Sequence, residues 1–164
     1  MKKIIIALTI ALLFMGCNNS DALQNAQAKL VVGKSLQNMQ LKDQHGNLES
    51  LSPKTKILFF SFSKKIGHMC NEFLEKQPAD FLEKHSALYI ADVSPAPSLI
   101  KKMFILPDLK ELPFKILLIN DDQLSAAYSK GVNKESIVVV HLQDRKIVTI
   151  ENLTSVKELE ALFQ

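Results

Sequence analysis

Cysteine is scarce in this sequence: Cys17 and Cys70 are the only two in 164 residues. Cys17 falls where a lipid would consume it. Cys70 then has no disulfide partner in its own chain, although an exported compartment would permit such a bond. Charge of one sign is also missing. With Lys2 and Lys3 set aside, 18 basic residues face 17 acidic ones. No run of like charge is long enough to point to nucleic acid, which is not expected as a partner. A membrane-spanning run is absent too. The longest apolar stretch, Ile4 to Met15, has twelve residues and would rise about 18 Å as a helix against a hydrocarbon core of roughly 30 Å. Internal repeats, low-complexity tracts, a Ser/His/Asp set, a phosphate-binding glycine loop and zinc-ligand spacing are all lacking.

What is present begins with an export signal. Lys2 and Lys3 precede the apolar run, the charge-then-apolar order of a signal peptide. Gly16-Cys17 follows at once, and a small residue directly before a cysteine suits lipoprotein processing. Phe14 and Met15 depart from the usual lipobox, and cleavage after Ala26-Gln27-Ala28 is the alternative, though it lies far beyond the apolar run. The expected organisation is a signal peptide over 1–16, a lipidated tether over 17–30 with acylation at Cys17, and one folded domain over 31–164. The stretch Asn18 to Lys29 is polar and rich in Ala, Asn and Gln, as a flexible tether would be. The expected location is the cell envelope, membrane-anchored and facing the periplasm. With 47% hydrophobic and 23% charged residues, one domain can fill a core.

From Leu30 onward strands and helices alternate. Met39 to Lys42, the turn residues Asp43-Gln44-His45-Gly46-Asn47, and Leu48 to Leu51 read as a small hairpin. Ile57 to Phe62 is an apolar run suited to a strand buried on both faces. Asn71 to His85 carries a helical pattern with Phe73, Leu74, Phe81 and Leu82 inward, and Pro78 should divide it. Ala87 to Val93 is a second buried strand. Leu99, Ile100, Met103 and Phe104 mark one face of another helix, which Pro107 should stop. Phe114 to Ile119 is a third strand. Asn120-Asp121-Asp122 caps a short helix through Leu124 and Tyr128, ended by Gly131. Ile137 to Leu142 and Ile147 to Ile150 pair through Gln143 to Lys146. Thr154 or Ser155 caps a last helix with Val156, Leu159, Leu162 and Phe163 on one face. This order implies an α/β fold with a mixed central sheet flanked by helices.

Several phrases give the order a family likeness. Val32-Gly33-Lys34, Leu41-Lys42-Asp43, Gly46 and Leu51-Ser52, then Lys56 to Phe62, then Leu112 to Leu117 through Gly131-Val132, resemble the thioredoxin-like superfamily in its thiol-disulfide lipoprotein and peroxiredoxin branch, over Val32 to Phe163. The likeness implies a thioredoxin-like fold with an N-terminal hairpin extension. It also implies a Cys-x-x-Cys where first core strand meets helix, and the matching tetrapeptide here is Gly67-His68-Met69-Cys70. Gly67 replaces the nucleophile, whose position near a helix N-terminus would lower its pKa. Cys70 keeps only the resolving place. The family's cis-proline falls at about Ser136, where a cis bond would cost about 3 kcal/mol, so a trans bond is expected.

The catalytic pair being absent, an enzyme is not the first expectation: a redox-inactive thioredoxin-like domain is expected to act as a binding or accessory module for an envelope protein or a small ligand, with no cofactor. A monothiol or peroxidase-like role for Cys70 is the second reading. A copper-handling role is the third, because His68, Met69 and Cys70 together offer imidazole, thioether and thiolate, with His141 or His45 as further ligands. Cys70 as a small buried apolar residue competes with both. Lys64-Lys65 reads as a solvated loop edge and Asp121-Asp122 as a helix cap.

Overall fold

The computed structural model describes Leu23 and residues 25–164. The signal segment and Cys17 lie outside the described residues. The elements in chain order are β1 (Gln40–Asp43), β2 (Leu48–Ser50), β3 (Ile57–Ser61), α1 (Lys64–Glu75), α2 (Phe81–Lys84), β4 (Ala87–Asp92), α3 (98–110), β5 (Ile116–Ile119), α4 (Asp122–Ser129), β6 (Ile137–Gln143), β7 (Lys146–Leu153) and α5 (Val156–Leu162). They build one mixed seven-stranded sheet in the order β2-β1-β5-β4-β3-β6-β7. The strands β3, β4 and β5 run parallel, while β1, β2, β6 and β7 pair antiparallel with their neighbours. Parallel neighbours need a crossover, and the helical segments between β3 and β4 and between β4 and β5 supply it.

Side chains alternate across the central strands, so consecutive residues feed two cores. Phe59, Tyr89, Ile116 and Val139 point to one face, which receives α1, α2, the last part of α3 and α5. Leu58, Phe60, Ile90, Leu117, Val138 and Val140 point to the other, which is covered by Leu30, Leu36, Met39, Leu41 and Tyr128 of α4. Leu58, Phe59 and Phe60 have no exposed surface, as expected for a strand covered on both sides. Residues 26–30, assigned to the tether by sequence, lie along α4: the Lys29 N–H donates to Ala127 O and the Lys130 ammonium to Ala26 O.

Local chemistry explains the connections. In the β1–β2 turn, Asp43 Oδ1 accepts from the N–H groups of His45 and Asn47, and Gly46 takes φ +91°. Asp144 and Arg145 both have positive φ between β6 and β7, the signature of a tight two-residue hairpin turn. Asp121 caps α4 by accepting from the Leu124 N–H. Ser155, rather than Thr154, caps α5, in a reciprocal capping box with Glu158.

Two expectations about helices are corrected. First, the helix after β3 begins at Lys64, not Asn71, and Gly67 to Cys70 lie inside it. The inward period already runs Ile66, Cys70, Phe73, Leu74, a spacing of four, seven and eight from the first. Pro78 does divide the region, since α1 ends at Glu75 and α2 starts at Phe81. Second, Pro107 does not stop α3. An α turn at Ser98–Ile100 passes into a π-helical stretch at Lys101–Ile105 and back to α-helix at Leu106–Lys110. Proline has no N–H and crowds the carbonyl four residues back. In the widened stretch the Leu106 N–H bonds instead to Lys101 O, five residues back, and the ring is accommodated. The changed frame points Ile105, Leu106 and Leu109 at the core. Leu99, Ile100, Met103 and Phe104, the apolar face marked by sequence, face solvent.

Candidate functional site

The residues marked by the family likeness sit on α1, above the ends of β3 and β4. Four apolar positions press α1 onto the sheet, and Cys70, in its second turn, is fully buried among them. Its thiol lies against the Tyr89 hydroxyl. That hydroxyl in turn shares a 2.9 Å hydrogen bond with Ser61 Oγ. Burial pushes the Cys70 thiol up to about 12, which the bond to Tyr89 only partly opposes. Burial likewise holds the Tyr89 phenol well above its ordinary value. The thiolate is the nucleophile and the metal ligand, so at neutral pH this cysteine offers a neutral, covered sulfur. Tyr89 also stacks on Phe59 at 5.0 Å between ring centroids. The polar chain Ser61–Tyr89–Cys70 is therefore walled by aromatic carbon.

Gly67 is the fourth residue of α1. A Cβ placed on it would meet Ser61 Oγ at 3.7 Å and Tyr89 Oη at 3.9 Å, ordinary contacts. Gly67 thus sits inside the helix, over the buried polar pair, with its N–H already donating to Ser63 O at 2.9 Å. That donor is not free to stabilise an anion.

The other residues singled out by sequence are not brought together. His68 is exposed, Met69 is half-buried against the core and Cys70 is interior. Three successive helical residues diverge by about 100° each. His141 lies opposite Ile57, at the end of β3 remote from α1, with Nε2 2.6 Å from Glu151 Oε1. His45 sits in the β1–β2 turn, beside the start of β5. Among the described residues no group of three or more His, Cys, Asp or Glu could hold a metal ion. Lys64 and Lys65 are exposed on the first turn of α1. Ser136 is completely buried, and the described residues contain no cis peptide bond. Its hydroxyl lies within hydrogen-bond distance, 2.9 Å, of both Asn133 O and Asn152 Oδ1. The Ser136 side chain is thus tied to the loop before β6 and to β7.

Sequence reasoning missed Ser61 and Tyr89. Each interrupts an apolar strand with a hydroxyl, and their register in adjacent strands was the available signal. The parallel pairing of β3 with β4 sets Tyr89 beside Phe59, two residues from Ser61.

The architecture is shared with known structures. Peroxidoxin BcpB from Mycobacterium tuberculosis is 15% identical, the match covering 80% of this chain and 92% of that one with a TM-score of 0.52. A peroxiredoxin Q variant from Xanthomonas campestris is 14% identical over 78% and 89%, with a TM-score of 0.51. A putative protein disulfide isomerase from Bacteroides thetaiotaomicron is 19% identical over 82% and 86%, with a TM-score of 0.50. No protein-family model and no curated protein matches the sequence. The fold is thioredoxin-like: a mixed central sheet flanked by helices, preceded by a hairpin.

Proposed function

We propose that this chain is an envelope lipoprotein, acylated at Cys17, whose thioredoxin-like domain is a binding or accessory module facing the periplasm and not a dithiol catalyst. The observation that carries the second half is the state of Cys70. It has no exposed surface, its thiol is pushed up to about 12, and Gly67 stands where a second cysteine would be needed. The anchoring half is supported by Lys2-Lys3, the twelve-residue apolar run and Gly16-Cys17. Among the described residues no helix is long and apolar enough to cross a membrane.

The monothiol reading has a distinct signature. A reactive Cys70 would alkylate rapidly in the native protein and trap partners as mixed disulfides. A covered one alkylates only when the chain opens. The test combines intact mass of the purified protein, native-state alkylation and reduction of insulin with dithiothreitol as electron source. The expected result is an acylated N-terminal Cys17, slow labelling of Cys70 and insulin reduction no faster than background. Insulin turnover above background, or fast labelling, would overturn the non-catalytic reading. An unmodified N-terminus in the soluble fraction would overturn the anchor.

A further inference from the structure

Four large apolar side chains on the first half of α3 are exposed. Leu99 is 66% exposed, Ile100 42%, Met103 58% and Phe104 55%. Positions i and i+4 are neighbours on a helix, so Leu99 with Met103 and Ile100 with Phe104 form one raised patch. Soluble surfaces rarely group such side chains without a purpose. Only the second half of α3 is tied to the core, through Ile105, Leu106 and Leu109. The first half projects, restrained by the Lys101 ammonium, which donates to Ser94 O at 3.4 Å.

Within the segment that carries the patch the charges are basic, with Asp92 and Asp108 flanking it on either side. From Val93 to Pro107 there is no carboxylate, and the charges are those of Lys101 and Lys102. Lys64 and Lys65, exposed on α1, start at the same edge of the sheet, where β3 and β4 end. Apolar side chains flanked by lysine are what a helix lying in a bilayer surface presents: carbon sinks below the headgroups and ammonium groups meet phosphate.

The first described residues also lie beside this edge. Ala26 is held to Lys130, and Lys29 to Ala127 on α4. Ser125 of α4 donates to Asp92 at the end of β4, and Asp92 accepts from the Ser94 N–H, the residue that holds Lys101. Nine residue steps separate Cys17 from Ala26, a reach of at most about 30 Å. An acylated Cys17 would keep this edge close to the membrane.

We infer that the Leu99, Ile100, Met103 and Phe104 patch of α3, with Lys101 and Lys102, docks onto the anionic surface of the membrane that holds the Cys17 lipid. The inference rests on the anchoring reading above. Docking sets the domain's orientation, with the ends of β3 and β4 toward the bilayer and the β6–β7 turn away from it.

The chain contains no tryptophan, so one introduced residue reports alone. The test uses the acylated full-length protein reconstituted in phosphatidylethanolamine–phosphatidylglycerol vesicles, carrying Phe104→Trp or, as a remote control, Val148→Trp on β7. Flotation and intact mass read the anchor; emission wavelength and quenching by brominated lipid read the docking. The expected result is a blue-shifted, quenched Trp in the Phe104→Trp protein and an unquenched one in the Val148→Trp protein. Lys102→Glu should reduce the quenching several-fold. A protein that is acylated and floats but shows an unshifted, unquenched Phe104→Trp signal overturns docking and leaves the anchor standing. A chain without an acyl group overturns the anchor, and the docking with it. A blue shift without bromolipid quenching, in particles of doubled mass, assigns the patch to a second copy and overturns the membrane.

Discussion

The helices α1 and α3 leave the parallel strands β3 and β4 at one edge of the sheet, and each carries apolar residues at helical spacing. In α1 the stripe Ile66, Cys70, Phe73 and Leu74 is buried. In α3 the stripe Leu99, Ile100, Met103 and Phe104 is exposed. The first helix keeps a regular α frame for twelve residues, so its stripe stays over Phe59 and Tyr89. The second passes through five π-helical residues ahead of Pro107. That shift turns Ile105, Leu106 and Leu109 inward and leaves the earlier stripe outside. An apolar stripe therefore calls for a cover, but the cover need not be the helix's own sheet.

The largest expected contrast lies between the two helices' phenylalanines. Phe73→Ala removes a buried ring that packs against Phe81 and Phe163 and should cost about 3–5 kcal/mol, read from denaturant midpoints. A loss below about 1 kcal/mol would show that α1 is not the fixed helix described. Next comes Cys70→Ser, which should cost about 1–3 kcal/mol by exchanging an apolar thiol for a hydroxyl in the core.

The pH dependence sharpens the same point. The thiol is pushed from 9.0 up to about 12 by burial, so the unfolded chain loses this proton first. Between those values the unfolded state binds fewer protons, and stability falls as pH rises through the window, being fully present below about pH 9. Tyr128, whose phenol burial pushes from 10.0 up to about 12, adds a loss of the same sign beginning about one unit higher. Denaturation titrated across this range should show the slope between pH 9 and 10 shrinking in Cys70→Ser. An unchanged slope would mean that the thiol is not held neutral by the fold.

A smaller effect of opposite sign is expected at Gly67. Alanine there meets only ordinary contacts and restores helix propensity, so Gly67→Ala should gain about 0.5–1 kcal/mol. A loss would mean that the space above Ser61 and Tyr89 is needed by something else. Smallest of all is Phe104→Ala, expected within about 0.5 kcal/mol of the parent because the ring supports no core. A loss comparable to that of Phe73→Ala would place α3's stripe inside and erase the contrast.

Much of the fold is legible in the amino-acid sequence. The runs Ile57 to Phe62, Ala87 to Val93 and Phe114 to Ile119 announced strands, because short, mostly apolar runs bounded by polar residues or proline leave few other options. The turn residues 43–47 and the caps Asp121 and Ser155 were readable for the same local reason: each supplies a side-chain acceptor to specific nearby N–H groups. The lack of any Cys-x-x-Cys motif was equally plain. Less legible were helix ends and facing. Ile66 stands alone, four residues ahead of Cys70, so the start of α1 at Lys64 left only a faint periodic trace. The local rule that proline ends a helix pointed the wrong way at Pro107.

The sequence by itself determined the order of elements, the two-sided burial of the central strands and the absence of a dithiol, since these depend on residue type and local spacing. Tertiary structure decided what stands against Cys70 and which way α3 faces. The Ser61–Tyr89–Cys70 contact joins residues 28 positions apart in the case of Ser61 and Tyr89, and only the register between β3 and β4 brings them together. The outward turn of Leu99, Ile100, Met103 and Phe104 follows from a hydrogen-bond shift of one residue. Its energetic balance depends on how Leu106 and Leu109 seat in a core that the segment does not itself contain.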